Sequence, residues 1–326
     1  MNARGVDVVC LGEALVDLVS TKSGVRLDRA PAFRKAAGGA PANVAVGLAR
    51  LGCRSAFIGA FGADSLGAFL ASTLARAGVD LSPTCRSKRR TALALVSLAA
   101  DGDRDFLFYG DQPAHFDLRL TPRMRAVVRR ARILHFGSIS LIAEPARSAT
   151  LAAIDEARRA EALVSYDPNL RLNLWPSARV ARQAIRKTLP LADVVKVNED
   201  ELAFLTGTRS VAAGLAAVAA MGPRLVVATL GAEGCAYRSP SGEGKVAGFP
   251  ARVVDTTGAG DAFVAGLLCG LLSSSDGTAP PPAGAELETI LTYANAAAAL
   301  STERRGGIPS LPTRGRVRAF LAANTR

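Results

Sequence analysis

Apolar residues recur along this chain in two rhythms. Residues 6–11 (VDVVCL) form a short apolar run that stops at Gly12, and 55–60 (SAFIGA) form another; both read as buried strands. Between them, 42–51 (ANVAVGLARL) has helical character and closes at Gly52, a residue suited to the position just past a helix end. Residues 66–77 read as a second helix, ended by Gly78. The alternation resumes further on. Strands are expected over 131–136, 162–166, 194–197 and 225–230, with the loop DPNLRLNLWP after the second of these. Helices are expected over 144–160, 199–205, 211–220, 261–272 and 287–302, the last alanine-rich and buried. Strands alternating with helices predict βαβ units and a parallel sheet, hence an α/β fold.

Residues 91–110 break this rhythm. TALALVSLA and RDFLFYG read as two strands joined at Asp101-Gly102, a strong turn pair. They are too close for a helix to link them, so they form an antiparallel hairpin that projects from the main sheet as a lid. A second hairpin is expected over 234–249 around Ser241-Gly242, and a Ser/Gly/Pro-rich loop over 273–284. With no internal repeat and no linker, the chain reads as one domain over 1–326.

Composition narrows the function classes. The formal net charge is +12, carried mainly by arginine. No block of five or six like charges occurs, and the densest basic stretches, 86–90 and 123–132, lack interleaved aromatics for base stacking. A nucleic-acid partner is therefore not expected. Cys10, Cys53, Cys85, Cys235 and Cys269 are odd in number and include no C-x-x-C pair, which reads as free thiols in a reducing, cytoplasmic setting. Acidic Asp7 and Glu13 interrupt the N-terminal apolar stretch, so no signal-peptide pattern is expected there, and no membrane partner follows from any apolar run.

Three segments carry candidate chemistry. In 254–268 (VDTTGAGDAFVAGLL), a strand is expected to run through a glycine turn into a helix. N–H groups at a helix start have no internal partner and lie at the positive end of the dipole. Gly258, Ala259 and Gly260 leave them open to an approaching phosphate, which makes an anion hole. Asp261 then stands either as a base beside the bound anion or as a helix-start aspartate favoured by the dipole. A dinucleotide fingerprint would need glycine where Phe263 stands. A P-loop would need Gly-Lys-Ser/Thr, and Gly244-Lys245 is followed by Val246. In 37–52, Gly38, Gly39 and Asn43 suit either a polyol contact or a tight turn with a polar cap. In 12–18, Asp17 is placed at the carboxyl end of the first strand, as a ligand for two sugar hydroxyls or as a surface aspartate.

GGAPANVAVGLARLG and DTTGAGDAFVAGLL resemble the two signatures of the ribokinase-like (PfkB) carbohydrate kinases, and the likeness extends through nearly the whole chain. Within that family, HFGSISLIAEPARSA, SYDPNLRLNLWPS, DVVKVNEDELAFLTG and YANAAAALSTERRGGIPSLPT are most similar to fructokinases. The resemblance implies a doubly wound, mostly parallel sheet flanked by helices, with a small β-lid formed by about 13–37 and 91–112. It implies phosphoryl transfer from ATP to the 6-hydroxyl of fructose, with Mg²⁺ and in many members K⁺, and dimerisation through the lid. Asp261 aligns with the general base and Gly258, Ala259 and Gly260 with the anion hole. Asp17, Gly38, Gly39 and Asn43 align with sugar positions, and Arg171 with a substrate or phosphate contact. Asn198 and Glu201 form an N-x-x-E pattern associated with Mg²⁺ and phosphate through water. Thr229, Gly231, Gly234 and Asn295 fall around the nucleotide, and Asp255, Thr257, Gly306 and Ser310 around the monovalent cation. One departure stands out: Gly110 follows Phe108-Tyr109 where the resemblance implies arginine, which weakens the case for an acidic acceptor such as 2-keto-3-deoxygluconate. The family also admits ribose and nucleosides as acceptors, and catalytically silent members. His115 reads as an incidental lid-edge residue and His135 as structural.

Overall fold

The computed structural model describes residues 5–22, 24–98, 104–274 and 282–324. The strands are β1 Val8–Leu11, β2 Leu15–Ser20, β3 Phe33–Gly38, β4 Ser55–Ile58, β5 Ala60–Gly62, β6 Cys85–Ser87, β7 Leu93–Leu98, β8 Arg104–Tyr109, β9 Ile133–Gly137, β10 Leu163–Asp167, β11 Val194–Asn198, β12 Leu225–Thr229, β13 Gly234–Ser239 and β14 Gly242–Ala247. The helices are α1 Ala40–Arg50, α2 Ser65–Arg76, α3 Pro122–Arg130, α4 Ala146–Arg159, α5 Ala178–Thr188, α6 Glu199–Thr206, α7 Val211–Ala219, α8 Ala259–Ser274, α9 Gly284–Thr302, α10 Gly307–Ser310 and α11 Arg314–Asn324.

The main sheet runs β14-β13-β12-β11-β10-β9-β1-β4. It is parallel except for the two hairpin strands β13 and β14 at one edge. Its strands are buried on both faces, which is why they read as continuous apolar runs. In β1, Val8 and Cys10 face the layer of α1, α8 and α9, while Val9 and Leu11 face the layer holding α3, α4 and α5. The fold is therefore doubly wound. From β1 the chain first winds outward to β4, then returns to β9 on the other side. That reversal opens a crevice at the carboxyl ends of β1 and β9, the place where such sheets bind ligands. Small residues let the upper layer close: a Cβ on Gly266 of α8 would lie 2.8 Å from the Ala294 Cα in α9.

A second sheet, ordered β3-β2-β7-β8, stands apart from the first. The expected hairpin over 91–110 is β7 and β8, paired antiparallel from Leu93↔Tyr109 onward. Its turn at Asp101-Gly102 lies outside the described residues, as does part of the loop over 273–284. Gly12 turns the chain from β1 into β2, so Asp17 sits inside β2 of this second sheet rather than at the end of the first strand.

Other expectations are corrected as well. Residues 250–258 form no strand before α8; instead the Val254 and Asp255 N–H groups donate to the Thr302 carbonyl at 2.8 and 3.0 Å. Helices α3 and α5 were hidden by composition. In α5 the arginines cover the outer face, while Ala181 and Ile185 bury the inner one. His115 is not at a lid edge: it lies in a 3-10 turn, Ala114–Asp117, buried edge-on against Phe116. His135 is buried in β9 and its Nδ1 lies 3.1 Å from the Ser165 hydroxyl. Among the described residues no single helix is long and apolar enough to cross a membrane.

Candidate active site

Two adjoining cavities occupy the crevice. The smaller, about 100 Å³, is lined by Glu13, Asp17, Gly39 and Asn43 on one side and by Arg171, Thr257, Gly258 and Asp261 on the other. The larger, about 710 Å³, is lined by Arg171, Asn173, Lys196, Asn198, Gly258, Gly260 and Asp261. Asp261, Gly258, Arg171, Asn169 and Phe108 border both. Phe108 reaches in from β8, so the second sheet covers the place where the cavities meet.

Asp261 is the third residue of α8 and is buried. Its Oδ2 accepts a hydrogen bond from Asn43 Nδ2 at 2.7 Å. Asn43 lies in the first turn of α1, so one bond joins the starts of two helices. Burial pushes the Asp261 carboxyl up to about 6; the Asn43 hydrogen bond opposes this, Asp167 adds to it, and Lys196 and Arg171 draw it down. That value leaves the group mostly ionised near neutrality and able to take a proton, as a base must. Of the small residues before it, Ala259 turns its N–H away, donating to the Thr256 carbonyl at 3.2 Å. The Gly258, Gly260 and Asp261 N–H groups have no hydrogen-bond partner among the described residues, so of the three expected donors Gly258 and Gly260 stay open and Asp261 adds another. Gly258 takes φ +82°, and a Cβ on Gly260 would lie 3.0 Å from the Lys196 ammonium.

The smaller cavity is rich in acceptors. Glu13 Oε1 accepts from the Ala40 N–H at 3.0 Å, capping α1 in place of Gly39, which has no side chain to do so. Glu13 Oε2 and Asn43 Oδ1 are buried without a hydrogen-bond partner. Burial raises the Glu13 carboxyl to about 7 and, together with the nearby charge of Asp261, raises Asp17 to about 7 as well. Asp17 is half-buried in β2, and its carboxylate is tucked toward the cavity against Gly38, where it is desolvated. Gly38 and Gly39 are required by this crowding. A Cβ on Gly38 would fall 2.2 Å from Asp17 Oδ2, and one on Gly39 would fall 2.5 Å from the Glu13 carbonyl.

At the floor of the larger cavity, Lys196 Nζ pairs with Asp167 Oδ2 at 3.2 Å, both buried. Burial alone would lower the lysine pKa; Asp167 and Glu201 outweigh it and raise it. Neither Lys196 nor Asp167 was picked out from the sequence. The signal was present: a lone lysine in an apolar buried strand (VVKVN), and an aspartate closing another (LVSYD). Glu13 was missed as well; its signal was a charge two residues after a buried strand.

The N-x-x-E pattern proves to be a capping box. Asn198 accepts from the Glu201 N–H at 2.8 Å, and Glu201 Oε2 accepts from the Asn198 N–H at 2.9 Å. Glu201 Oε1 accepts from the Leu170 N–H at 2.7 Å, which fixes the loop carrying Arg171. Each Glu201 oxygen thus holds one backbone donor, which fixes the carboxylate and leaves its remaining lone pairs for water. Among the described residues no group of three or more carboxylate, cysteine or histidine side chains could hold a metal ion.

The remaining expected residues lie outside both cavities. Thr229 and Asn198 are paired neighbours in register at the ends of β12 and β11, and Gly231 and Gly234 (φ +57° and +97°) shape the turn that follows. Asn295 donates to the Val246 and Ala247 carbonyls, each at 3.1 Å, and so pins α9 to β14. Asp255 gathers the two loops beside α8: its Oδ1 accepts from the Thr257 hydroxyl at 2.7 Å and its Oδ2 from the Gly306 N–H at 2.8 Å. Ser310 is buried and donates to the Gly307 carbonyl at 2.8 Å.

This arrangement has counterparts. The model of the pfkB family carbohydrate kinases matches residues 6–314. The chain belongs to that family. It is 46% identical over 319 residues to a probable fructokinase-4 of Arabidopsis thaliana, covering 97% of each chain. Among solved structures, a fructokinase from Xylella fastidiosa with bound ATP aligns with a TM-score of 0.87 and 33% identity, over 98% of this chain and 99% of that one. A fructokinase from Vibrio cholerae O395, bound to fructose, ADP and a calcium ion, aligns with a TM-score of 0.85 and 36% identity over 98% and 99%. In a pfkB kinase the protein's task is positioning and electrostatics, and a buried carboxylate beside open helix-start N–H groups is compatible with that task.

A buried carboxylate costs stability, which gives a check independent of turnover. The Asp261 pKa is raised from 3.8 to about 6 in the folded protein, so the folded state holds its proton longer than the unfolded chain. Its favourable contribution is complete below pH ~4 and is lost as pH rises through about 6. Asp261→Asn should therefore melt above the parent at pH 8, by on the order of 1–3 kcal/mol, with the gap closing by pH ~4. Denaturant unfolding at both pH values measures it; a variant less stable at pH 8 contradicts the assignment.

Proposed function

We propose that the protein is a fructokinase, moving the γ-phosphoryl group of ATP onto the 6-hydroxyl of fructose, with Asp261 as general base. The observation that carries the reading is the meeting of three features at one point. Buried unpartnered acceptors on Glu13 and Asn43 call for hydroxyl donors, as a sugar supplies. Asp261 stands ready for a proton, and the Gly260 and Asp261 N–H groups face the neighbouring larger cavity, where the transferred phosphate fits. Fructose in particular is supported by the names of the relatives. Gly110, exposed with φ +123° just after β8, stands where the resemblance implies arginine; it weakens the case for an acidic acceptor such as 2-keto-3-deoxygluconate and does not itself select fructose.

In the proposed reaction the sugar lies in the smaller cavity, bounded by Asp17, Gly39 and Asn43, and ATP enters the larger one. Asp261 removes the hydroxyl proton as the hydroxyl attacks in line. Charge developing on the transferred group is met by the Gly260 and Asp261 N–H groups, Arg171 and the nearby Lys196 ammonium. Mg²⁺ would arrive on the nucleotide phosphates and neutralise their charge. The sheet β3-β2-β7-β8 acts as a lid, with Phe108 excluding water from the junction. Asp255, with Thr257 and Gly306, organises two loops where K⁺ would act on the helix start from outside the cavities. Thr229, Gly231 and Gly234 extend the donor site along the ends of β11 and β12. The five free thiols suit a reducing, cytoplasmic compartment.

A coupled assay over fructose, ribose, 2-keto-3-deoxygluconate and nucleosides should show fructose with the highest kcat/KM, and faster turnover in K⁺ than in Na⁺. Asp261→Asn should retain ATP binding and lose at least ~10²-fold in kcat. Near-parental turnover would remove the base assignment; a better acceptor than fructose would remove the substrate. Exposed Leu107 and Tyr109 on β8 support pairing of two copies through the lid. Sedimentation should then show a dimer that Tyr109→Lys dissociates, and a monomer at every concentration would contradict it.

A further inference from the structure

Under the same second sheet lies a third cavity of about 370 Å³, distinct from the two of the active site and within the size range of small-molecule pockets. β2 connects them. Leu15 and Asp17 line the acceptor cavity, and Val19, the next residue on the same face of the strand, lines this one. Arg34 and Lys35 of β3, Arg76 of α2 and Arg305 border it, and no acidic residue does. Lys35 stacks over the Phe69 ring at 4.2 Å, while Arg34 and Arg76 have no ion-pair partner among the described residues. Ala36, Ala37, Phe69, Ile308 and Pro309 give it an apolar floor.

We propose that this cavity binds a phosphate monoester with a small carbon skeleton. Arg34, Lys35 and Arg76 around one opening, none of them ion-paired among the described residues and with no acid in the lining, suit a dianion better than a neutral or singly charged group. The apolar floor takes the carbon body. Such a ligand would touch the second sheet, α2 and the loop 305–309 together. That loop's Gly306 N–H is held by Asp255, six residues before Asp261, so occupancy joins the lid to the body next to the loop that leads into α8.

Isothermal titration calorimetry on the full chain, with its nucleotide site filled by a non-hydrolysable ATP analogue, tests this with glucose 6-phosphate and with inorganic phosphate. The ester should bind, and its affinity should fall at least tenfold in Arg34→Ser/Arg76→Ser, a doubly substituted surface whose circular dichroism matches the parent. Turnover of the variant at saturating fructose and ATP should stay within twofold of the parent. Absence of binding to the parent overturns the proposal. So does undiminished binding to the variant, which places the ester elsewhere. Inorganic phosphate binding as tightly as the ester overturns the assignment of a carbon body. The calorimetry is independent of which sugar is phosphorylated, so its failure and failure of the fructokinase reading are separable.

Discussion

The hydrogen bond between Asn43 and Asp261, 2.7 Å long and buried, ties the start of α1 to the start of α8 and fixes the point around which the site is arranged. The two residues are far apart in sequence. They meet because the short residues along the two helices, such as Gly47 against Ala265, let the helix axes approach. On one side of this bond lies a cavity with unpartnered acceptors, and on the other a helix start with unpartnered donors. A sugar and a phosphate satisfy opposite halves of that asymmetry. The bond also opposes the rise in the Asp261 pKa that burial causes, which keeps the carboxyl near the range a base needs.

A second constraint holds the larger cavity open. Lys196 would be costly to bury alone; Asp167 at 3.2 Å compensates it, and Glu201 adds a second negative charge. Glu201 in turn grips Leu170 and Asn198 through their backbone N–H groups. One buried charge network thereby fixes the loop after β10 and the start of α6, so Arg171 and Asn198 face the cavity from rigid supports. The carboxyl ends of β10 and β11 thus share a common polar framework although the strands themselves are apolar.

Much of this was legible in the sequence because parallel strands buried on both faces read as apolar runs, and glycines at helix ends mark where α1 and α2 stop. The glycine run before Asp261 and the Asn43 segment marked the starts of α8 and α1, and the fold brings those two helix starts together. The rest was illegible for physical reasons. α3 and α5 are amphipathic with arginine-rich outer faces, so composition hid their periodicity. Asp17 was misplaced because Gly12 sends the chain out of the main sheet, a backbone event without a side-chain signature. The capping role of Glu201 and its hold on Leu170 became visible only with the start of α6 and the loop after β10 in place. Lys196 and Asp167 needed the register of β10 and β11 before their pairing could be seen.

The proposed chemistry depends on the fold holding the Asp261 carboxyl in a state suited to accept a proton. Selective ¹³C-carboxyl labelling of aspartate, with the Asp261→Asn variant to assign the resonance, allows that group to be titrated directly by NMR in the ligand-free protein. A midpoint near pH 6 is expected, as burial requires. A midpoint at the ordinary aspartate value of about 4 would contradict it.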